Sequence, residues 1–391
     1  MPAAPEVSQQ RDVLPSPTGD FHVGRLSLDL IDPNRQELYS DDPDDRRELV
    51  LWVWYPASSD SAAERAEYLP PEWTPVTEFL GLDVAGSRAH AVADAPLADE
   101  RASYPVLILS PSGFPPLLLA AIAEELASSG YVVVGVNHTY ETAVTVFTDG
   151  RTVPMNPAAL GGALGPQVGP HEPVFRQRAT VCRYKAADLR SVADHLELLQ
   201  PNPTGLSRER LDLTRLGALG HSFGGNAALE WCRADPRCRA AANLDGAIWT
   251  EIGSMGLQRP ALQLLAQHPE FALSSAQALE AGMTTDAAWY EAEKALTFGG
   301  WRTIHDRGRP AVTVQIAGAT HMSFMDVAFL PLRDESPVKG ILAATSIDPG
   351  RMWRITCDML QGFFAQYLDG GGSPDLDSLT ADYPEITLGP P

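Results

Sequence analysis

Residues 220–224 carry the clearest chemical signal in the chain, because GHSFG fits the pattern G-x-S-x-G. A serine on so tight a turn needs small neighbours, since a side chain at either glycine would meet the adjoining strand or helix. The apolar residues 216–219 before it are typical of a strand, and residues 226–230 after it are typical of a helix. This context predicts Ser222 as the nucleophile of a hydrolase.

A serine hydroxyl is a weak nucleophile and needs a neighbouring base, which an acid in turn orients. The usual chain order on such a turn is serine, acid, histidine, and His321 follows a strand predicted over residues 312–317. Asp245 is favoured as the acid because it lies directly at the tip of a strand predicted over residues 240–244. Glu270, farther from the end of the next strand, is the alternative.

The tetrahedral intermediate of acyl transfer needs two backbone N–H donors for its oxyanion. Phe223, directly after the nucleophile, is expected to supply one of them. The loop after the strand at residues 106–109 is expected to supply the other, from Gly113 or Phe114. Pro111 in the same loop has no N–H and is excluded.

Several aromatic side chains are candidate walls of a substrate pocket, and each is equally well explained as part of the core. They are Phe114, Trp249, Trp289, Trp301 and Phe324.

Continuous apolar runs predict the sheet that must position these groups. The runs at residues 106–109 and 131–136 flank a helix predicted over 117–128, which is a βαβ unit and implies parallel strands. Two earlier strands, at 26–31 and 49–55, are expected to be antiparallel. We therefore predict an α/β protein with the α/β-hydrolase fold, a mostly parallel central sheet of about eight strands, and helices on both faces.

The same pass along the chain predicts a single domain. Residues 21–370 are assigned to the α/β-hydrolase domain, residues 1–20 to a loose N-terminal arm and residues 371–391 to an acidic tail. Two segments, 154–173 and 272–300, are candidate lid or pocket loops.

The charge balance argues against two classes of partner. Fifty acidic against 29 basic residues give a formal net charge of −21, which repels nucleic acid and anionic lipid. No apolar run reaches the roughly 18 residues that a spanning helix needs, so no stable membrane insertion is expected. The N-terminal residues lack the pattern of a signal peptide, and a cytoplasmic location is the expectation. The oligomeric state is left open.

The four cysteines follow no metal-ligand spacing, and neither a metal nor another cofactor is expected. Cys182 and Cys357 lie on apolar faces of predicted helices, where a buried thiol is usual. Cys232 and Cys238 either remain two thiols or close a small disulfide loop, and the sequence leaves both possibilities open.

Motifs in a fixed order resemble the platelet-activating factor acetylhydrolase family, meaning the plasma and type II enzymes and their bacterial relatives. They are Pro15-Ser16-Pro17-Thr18-Gly19, Val53-Trp54-Tyr55-Pro56-Ala57, Gly220-His221-Ser222-Phe223-Gly224-Gly225, Leu244-Asp245 and His321-x-x-Phe324-x-Asp326. The resemblance spans residues 15–368 with gaps. It implies an acid after the strand that follows the helix of the G-x-S-x-G turn, which supports Asp245. It also implies calcium-independent hydrolysis of esters with short or oxidised acyl chains.

One loop departs from that family. The family usually carries Ser-His-Gly at the oxyanion loop, whereas this chain has Ser110-Pro111-Ser112-Gly113. The acyl preference and the second oxyanion donor are therefore left open.

The resulting prediction is a serine carboxylic-ester hydrolase that acts on a small-molecule ester through an acyl-enzyme. The alternatives keep the fold and the triad but change the substrate to a lactone, a polyester, a thioester or a natural-product ester. A hydrolase fold kept as a non-catalytic binding module is a further alternative. A metal enzyme is disfavoured because the nine histidines are scattered along the chain.

Overall fold

A computed structural model describes residues 11–58, 64–160, 167–268, 271–370 and 376–391. The strands are β1 (Arg11–Asp12), β2 (His22–Gln36), β3 (Arg46–Ala57), β4 (Arg65–Glu67), β5 (Ser87–Ala93), β6 (Tyr104–Ser110), β7 (Val132–His138), β8 (Val144–Val146), β9 (Thr152–Pro154), β10 (Leu211–His221), β11 (Cys238–Leu244), β12 (Ala261–Leu265), β13 (Ala311–Ile316) and β14 (Ile386–Leu388). The α-helices are α1 (Thr74–Leu80), α2 (Ala120–Ser128), α3 (Pro157–Leu160), α4 (Glu172–Leu196), α5 (Phe223–Ala234), α6 (Ile252–Met255), α7 (Ser275–Glu280), α8 (Ala287–Arg307), α9 (Val338–Leu342), α10 (Pro349–Phe364) and α11 (Leu376–Ala381).

A single large sheet forms the centre of the described structure. It has 12 strands in the order β1-β5-β2-β3-β7-β6-β10-β11-β12-β13-β14, with β4 paired to β5. The six strands from β7 to β13 in this order are parallel, and β3 runs antiparallel to both β2 and β7. The predicted α/β class and mostly parallel sheet are confirmed. The sheet exceeds the expected eight strands because β1, β4 and β5 extend one edge and β14 extends the other.

The central strands are buried on both faces, as their continuous apolar sequences predict. Along β6, Leu107 and Leu109 pack into a core shared with α2 and α10. The alternate residues Val106 and Ile108 pack on the opposite face with α4 and α5. Because successive side chains of a strand point to opposite faces, one short apolar run supplies both cores.

Both ends of the described chain are more ordered than the sequence predicts. Leu14 is buried, and Thr18 donates hydrogen bonds from its N–H and its hydroxyl to the carboxylate of Glu125 in α2. Residues 11–20 are therefore held against the domain instead of forming a loose arm. In the expected acidic tail, β14 pairs antiparallel with β13 and covers backbone groups that an edge strand would leave unpaired.

The two candidate lid segments differ from plain loops. Residues 157–160 form α3 and α4 begins at Glu172, while residues 161–166 lie outside the described part of the chain. The segment 272–300 contains α7 and most of α8.

The cysteine alternatives are resolved in the structure. Cys232 and Cys238 are joined by a disulfide, with their Cα atoms 4.9 Å apart. Cys182 and Cys357 are buried thiols. Within the described ranges, no helix has the length and apolar character required to cross a bilayer.

Asp326 has a buried carboxyl group that ties the loop after β13 to α2. Its side chain accepts hydrogen bonds from Ala120 N at 2.9 Å, from Ala121 N at 3.2 Å and from the Tyr68 hydroxyl at 3.0 Å. Burial raises the pKa of Asp326 to about 7, although the bonds from Ala121 and Tyr68 act in the opposite direction. The folded state therefore holds this proton at pH values where an unfolded aspartate has lost it.

This raised pKa predicts how stability changes with pH. A group whose pKa is higher in the folded state stabilises the protein fully below the unfolded pKa, and the contribution is lost as pH rises through the folded value. Between about pH 4 and pH 7, the Asp326 contribution to the free energy of unfolding should fall by at most about 4 kcal/mol. Urea unfolding at several pH values across this range gives the free energy of unfolding as a function of pH. Asp326→Asn should remove this part of the decrease with pH. The control Asp83→Asn, at an exposed site, should keep the decrease. The same pH dependence of the free energy of unfolding in the wild type and both variants would contradict the prediction.

Candidate active site

Ser222 lies on the turn between β10 and α5, at the carboxyl end of the parallel strands. Its backbone has φ 59° and ψ −124°, a conformation that residues other than glycine rarely adopt. The turn is packed tightly against the end of β6. A Cβ atom at Gly224 would lie 1.9 Å from the carbonyl oxygen of Ser110, and one at Gly220 would lie 2.2 Å from the carbonyl oxygen of Gly224. Only glycine fits at these two positions.

Asp245 follows β11 directly and presents a fully buried carboxylate. Its Oδ2 accepts a 2.6 Å hydrogen bond from His321 Nδ1. Its Oδ1 accepts bonds from the backbone N–H of Ala266 at 2.8 Å and from His268 Nε2 at 3.0 Å. Burial alone would raise the pKa of Asp245, but His268 and His321 outweigh it and lower that pKa. The carboxylate is therefore ionised.

The alternative acid, Glu270, lies outside the described residues.

His321 follows β13, and its imidazole borders the same cavity as the Ser222 side chain. Within the described residues, the Ser222 hydroxyl and the His321 imidazole are not hydrogen bonded to each other. Such bonds in enzymes often tighten only when substrate binds. His221 holds the backbone here, because its Nε2–H donates to the carbonyl oxygen of His321 at 2.9 Å. Burial, with the nearby His321, lowers the pKa of His221 to about 3, so His221 is neutral.

The predicted oxyanion donors border that cavity too. Phe223, Gly113 and Phe114 lie along it together with Ser222 and His321. Phe223 is the first residue of α5, and the first N–H groups of a helix have no partner within the helix. The N–H of Phe223 therefore remains available to an acceptor beside Ser222.

Two cavities of different chemistry meet at Ser222, Phe223 and His321. The first has a volume of about 300 Å³ and is mostly apolar. Its walls include Val76, Phe79, Phe114, Met155 and Leu160. The second has a volume of about 250 Å³ and mixes charged, polar and aromatic groups. Its walls include Arg178, Trp249, His268, Phe271, Glu293 and Trp301.

The candidate pocket aromatics divide between these cavities and the core. Phe114 borders the apolar cavity, while Trp249 and Trp301 border the polar one. Trp289 lines neither cavity and packs against rings at the start of α4. Phe324 is likewise part of the hydrophobic core. These two side chains therefore lie outside the cavity walls described above.

Two groups in the polar cavity were absent from the sequence prediction. His268 lies just past the end of β12, and this strand-end position is the signal by which it could have been found. Arg178, inside α4, pairs with Glu293 of α8 at 2.6 Å and lies over the Trp249 ring at 4.6 Å. Nothing in the local sequence marks Arg178, since its partner lies more than 100 residues away.

One group of side chains within the described residues has the spacing of a metal site. Ligand atoms of His138, Glu141 and Asp188 lie within 4.8 Å of one another, and all three residues are buried. Asp188 is paired with Arg47 at 2.6 Å, and Glu141 is paired with Lys185. Because these cations already balance the two carboxylates, the donor set does not fit a metal ion.

Comparisons with known proteins give similarity to esterases. No protein-family model matches the sequence. The chain is 28% identical over 268 residues to a protein from Arthroderma benhamiae named probable 1-alkyl-2-acetylglycerophosphocholine esterase. That alignment covers 63% of this chain and 62% of the relative. A solved structure, ferulic acid esterase from Streptomyces cinnamoneus, is 29% identical with a TM-score of 0.72, over 95% of this chain and 98% of that chain.

This chain has the α/β-hydrolase fold and is similar in sequence and in structure to proteins named as esterases. The resemblance predicted from the sequence motifs is confirmed by the first relative, and the fold is confirmed by the second. The chain spans slightly less than two thirds of the A. benhamiae relative. The names of both relatives agree with the predicted class of enzyme, a carboxylic-ester hydrolase.

The packing of the turn around Ser222 predicts the effect of adding one methyl group. Gly224→Ala must separate β6 from α5, because its Cβ would overlap the carbonyl oxygen of Ser110. We expect the free energy of unfolding to fall by about 3 kcal/mol or more. Gly299→Ala is the matched control, since a Cβ there meets no atom within 4 Å and alanine favours the helix by roughly 0.5–1 kcal/mol. Thermal unfolding of both variants tests this, and equal stability would contradict it.

Proposed function

We propose that this chain is a serine carboxylic-ester hydrolase in which Ser222, His321 and Asp245 form the catalytic triad. The observation that carries the proposal is the 2.6 Å hydrogen bond between His321 and the buried Asp245, beside a cavity shared with Ser222. The names of the two relatives support the same class of reaction.

In the first half of the reaction, the Ser222 oxygen attacks the ester carbonyl while His321 Nε2 takes the hydroxyl proton. Asp245 accepts the Nδ1–H bond of His321, which keeps Nε2 free to act as the base and stabilises the imidazolium that forms. The oxyanion is stabilised by the N–H of Phe223 and by the N–H of Gly113 or Phe114. As the tetrahedral intermediate collapses, His321 gives the proton to the leaving alcohol.

In the second half, water replaces the alcohol. His321 takes a proton from water, and the resulting hydroxyl group attacks the acyl-enzyme carbonyl. The proton returns to Ser222 as the C–O bond to the enzyme breaks, and the carboxylic acid is released. Ester and water are thereby converted into acid and alcohol, with no cofactor required.

The substrate is proposed to be a small-molecule ester with a short acyl chain. The apolar cavity of about 300 Å³ suits a small hydrophobic part of the substrate, and the name of the A. benhamiae relative points to an acetyl ester. The polar cavity on the other side of Ser222 suits the more hydrophilic part.

A second candidate keeps the same residues and takes an aromatic acyl group. Trp249 and Phe271 are aromatic residues in the wall of the polar cavity, and the S. cinnamoneus relative is named a ferulic acid esterase. A hydroxycinnamoyl ester is one member of the natural-product esters that the sequence leaves open. Lactones, polyesters and thioesters have no specific feature in their favour.

Removing the nucleophile tests the enzyme class. Ser222→Ala should lower kcat for p-nitrophenyl acetate by at least about 10⁴-fold, because the triad acts as a unit. It should also abolish covalent labelling by a fluorophosphonate. Ser254→Ala, on the exposed face of α6, is the matched control and should behave as wild type. A non-catalytic binding module would leave even the wild-type protein unlabelled and inactive.

A panel of esters separates the candidate substrates. We expect kcat/KM to be highest for acetyl and butyryl esters, including a phospholipid with a short acyl chain, and to fall as the chain outgrows the apolar cavity. Methyl ferulate and a five-membered lactone complete the panel, with Ser222→Ala as the background control. A preference of about tenfold or more for methyl ferulate would favour the aromatic alternative instead.

A further inference from the structure

A second line of hydrogen-bonded Ser, His and Asp side chains, here called a row, lies in the interior, apart from the proposed triad. The Ser110 hydroxyl and His138 Nε2 are 3.0 Å apart, and His138 Nδ1 lies 2.7 Å from Asp188 Oδ2. All three residues are at most 1% exposed. Neither of the cavities beside Ser222 is bordered by Ser110. The row therefore cannot supply a second nucleophile for a substrate.

Ser110 joins the two parts of the site that must be aligned. It is the last residue of β6 and begins the loop that carries Gly113 and Phe114. Its carbonyl oxygen also packs against the turn that carries Ser222. A Cβ atom at Gly224 would lie 1.9 Å from this oxygen, and one at Gly220 would lie 2.6 Å from it. A shift of Ser110 would therefore move the oxyanion loop relative to the turn that carries Ser222.

The helix α4 holds this loop at two points. Asp188 is fixed by Arg47, whose Nε and Nη2 donate to its two oxygens at 3.0 Å and 2.6 Å. Three residues earlier on the same helix, the buried Lys185 donates from Nζ to the carbonyl oxygen of Ser112 at 3.2 Å. Through His138 and Lys185, α4 thus contacts the first and third residues of the loop.

The protonation states define the direction of each hydrogen bond. Burial opposes ionisation of Asp188, but Arg47 and His138 hold its pKa well below the usual value. Burial and the charge of Lys185 lower the pKa of His138, which favours the neutral ring. A neutral ring that donates from Nδ1 to Asp188 must accept at Nε2, and the Ser110 hydroxyl is the donor. The carbonyl oxygen of Pro111 is a second and more distant acceptor, 3.5 Å from the Ser110 hydroxyl, so His138 is the nearer partner.

We propose that Ser110 and His138 are positioning residues, which hold the oxyanion loop in register with Ser222 through Asp188 on α4. This inference rests on the proposed function, because the loop is assigned there as a source of an oxyanion donor. The role is distinct from catalysis, since neither residue meets the substrate.

Ser110→Ala removes the hydroxyl without adding bulk and leaves the triad intact. We expect kcat for p-nitrophenyl acetate to fall about tenfold, a fraction of the effect of losing an oxyanion donor, while KM changes less than about twofold. Amide hydrogen exchange over residues 112–119 should become faster. Ser128→Ala is the matched control, because Ser128 is also a buried, hydrogen-bonded serine but lies at the far end of α2. Ser128→Ala should lower the free energy of unfolding without changing kcat.

A double-mutant cycle adds a test that a merely structural role would fail. His138→Gln should lower kcat to a similar extent, and the double variant should be little worse than either single variant, because the row acts as one unit. Independent structural effects would instead multiply. Should His138→Gln fail to fold, Ser110→Ala decides alone.

Two results would overturn the inference. One is an unchanged kcat in Ser110→Ala, and the other is an unchanged exchange rate in the loop. The exchange measurement needs no turnover, so it judges the row even if the wild-type protein proves inactive. Failure of the proposed function is recognised separately, by a wild-type protein that neither hydrolyses esters nor reacts with a fluorophosphonate.

Discussion

The buried carboxylate of Asp245 is the constraint on which the architecture of the site depends. A charge withdrawn from water is costly unless hydrogen bonds or counter-charges replace the water. Asp245 obtains its three donors from Ala266, His268 and His321, which follow β12 and β13. The ends of three adjacent parallel strands must therefore stay in register, and this brings His321 to the cavity that Ser222 borders.

The same hydrogen-bond chemistry occurs twice in this molecule, in different surroundings. The row through His321 opens onto two cavities, whereas the row through His138 is closed to solvent. We assign catalysis to the first and alignment of the oxyanion loop to the second. A buried ionic network that includes Arg47, Asp188 and Lys185 suits the second role, because removing one partner would leave an uncompensated charge and the arrangement therefore has few alternatives.

Local signals in the sequence were sufficient for the central sheet and for the candidate residues. The turn at Ser222 could be predicted because both flanking glycines and the adjoining strand and helix are encoded within about 15 residues. Parallel strands bury both faces, so their sequences are continuous apolar runs that are easily recognised. Asp245 and His321 could be named because side chains that follow parallel strands meet at one edge of the sheet.

The contacts made between distant segments could not be predicted in the same way. The bond from His268 to Asp245, the row from Ser110 to Asp188, and the burial of Trp289 each depend on how separate elements pack. The strand β14 was missed because three residues of an acidic tail carry little pattern until β13 offers them a partner. The sequence by itself determined the central parallel strands, the turn and the candidate triad, since short-range periodicity and strand ends encode them. Only the tertiary structure decided which polar groups share a buried charge, because that depends on distances between residues far apart in the chain.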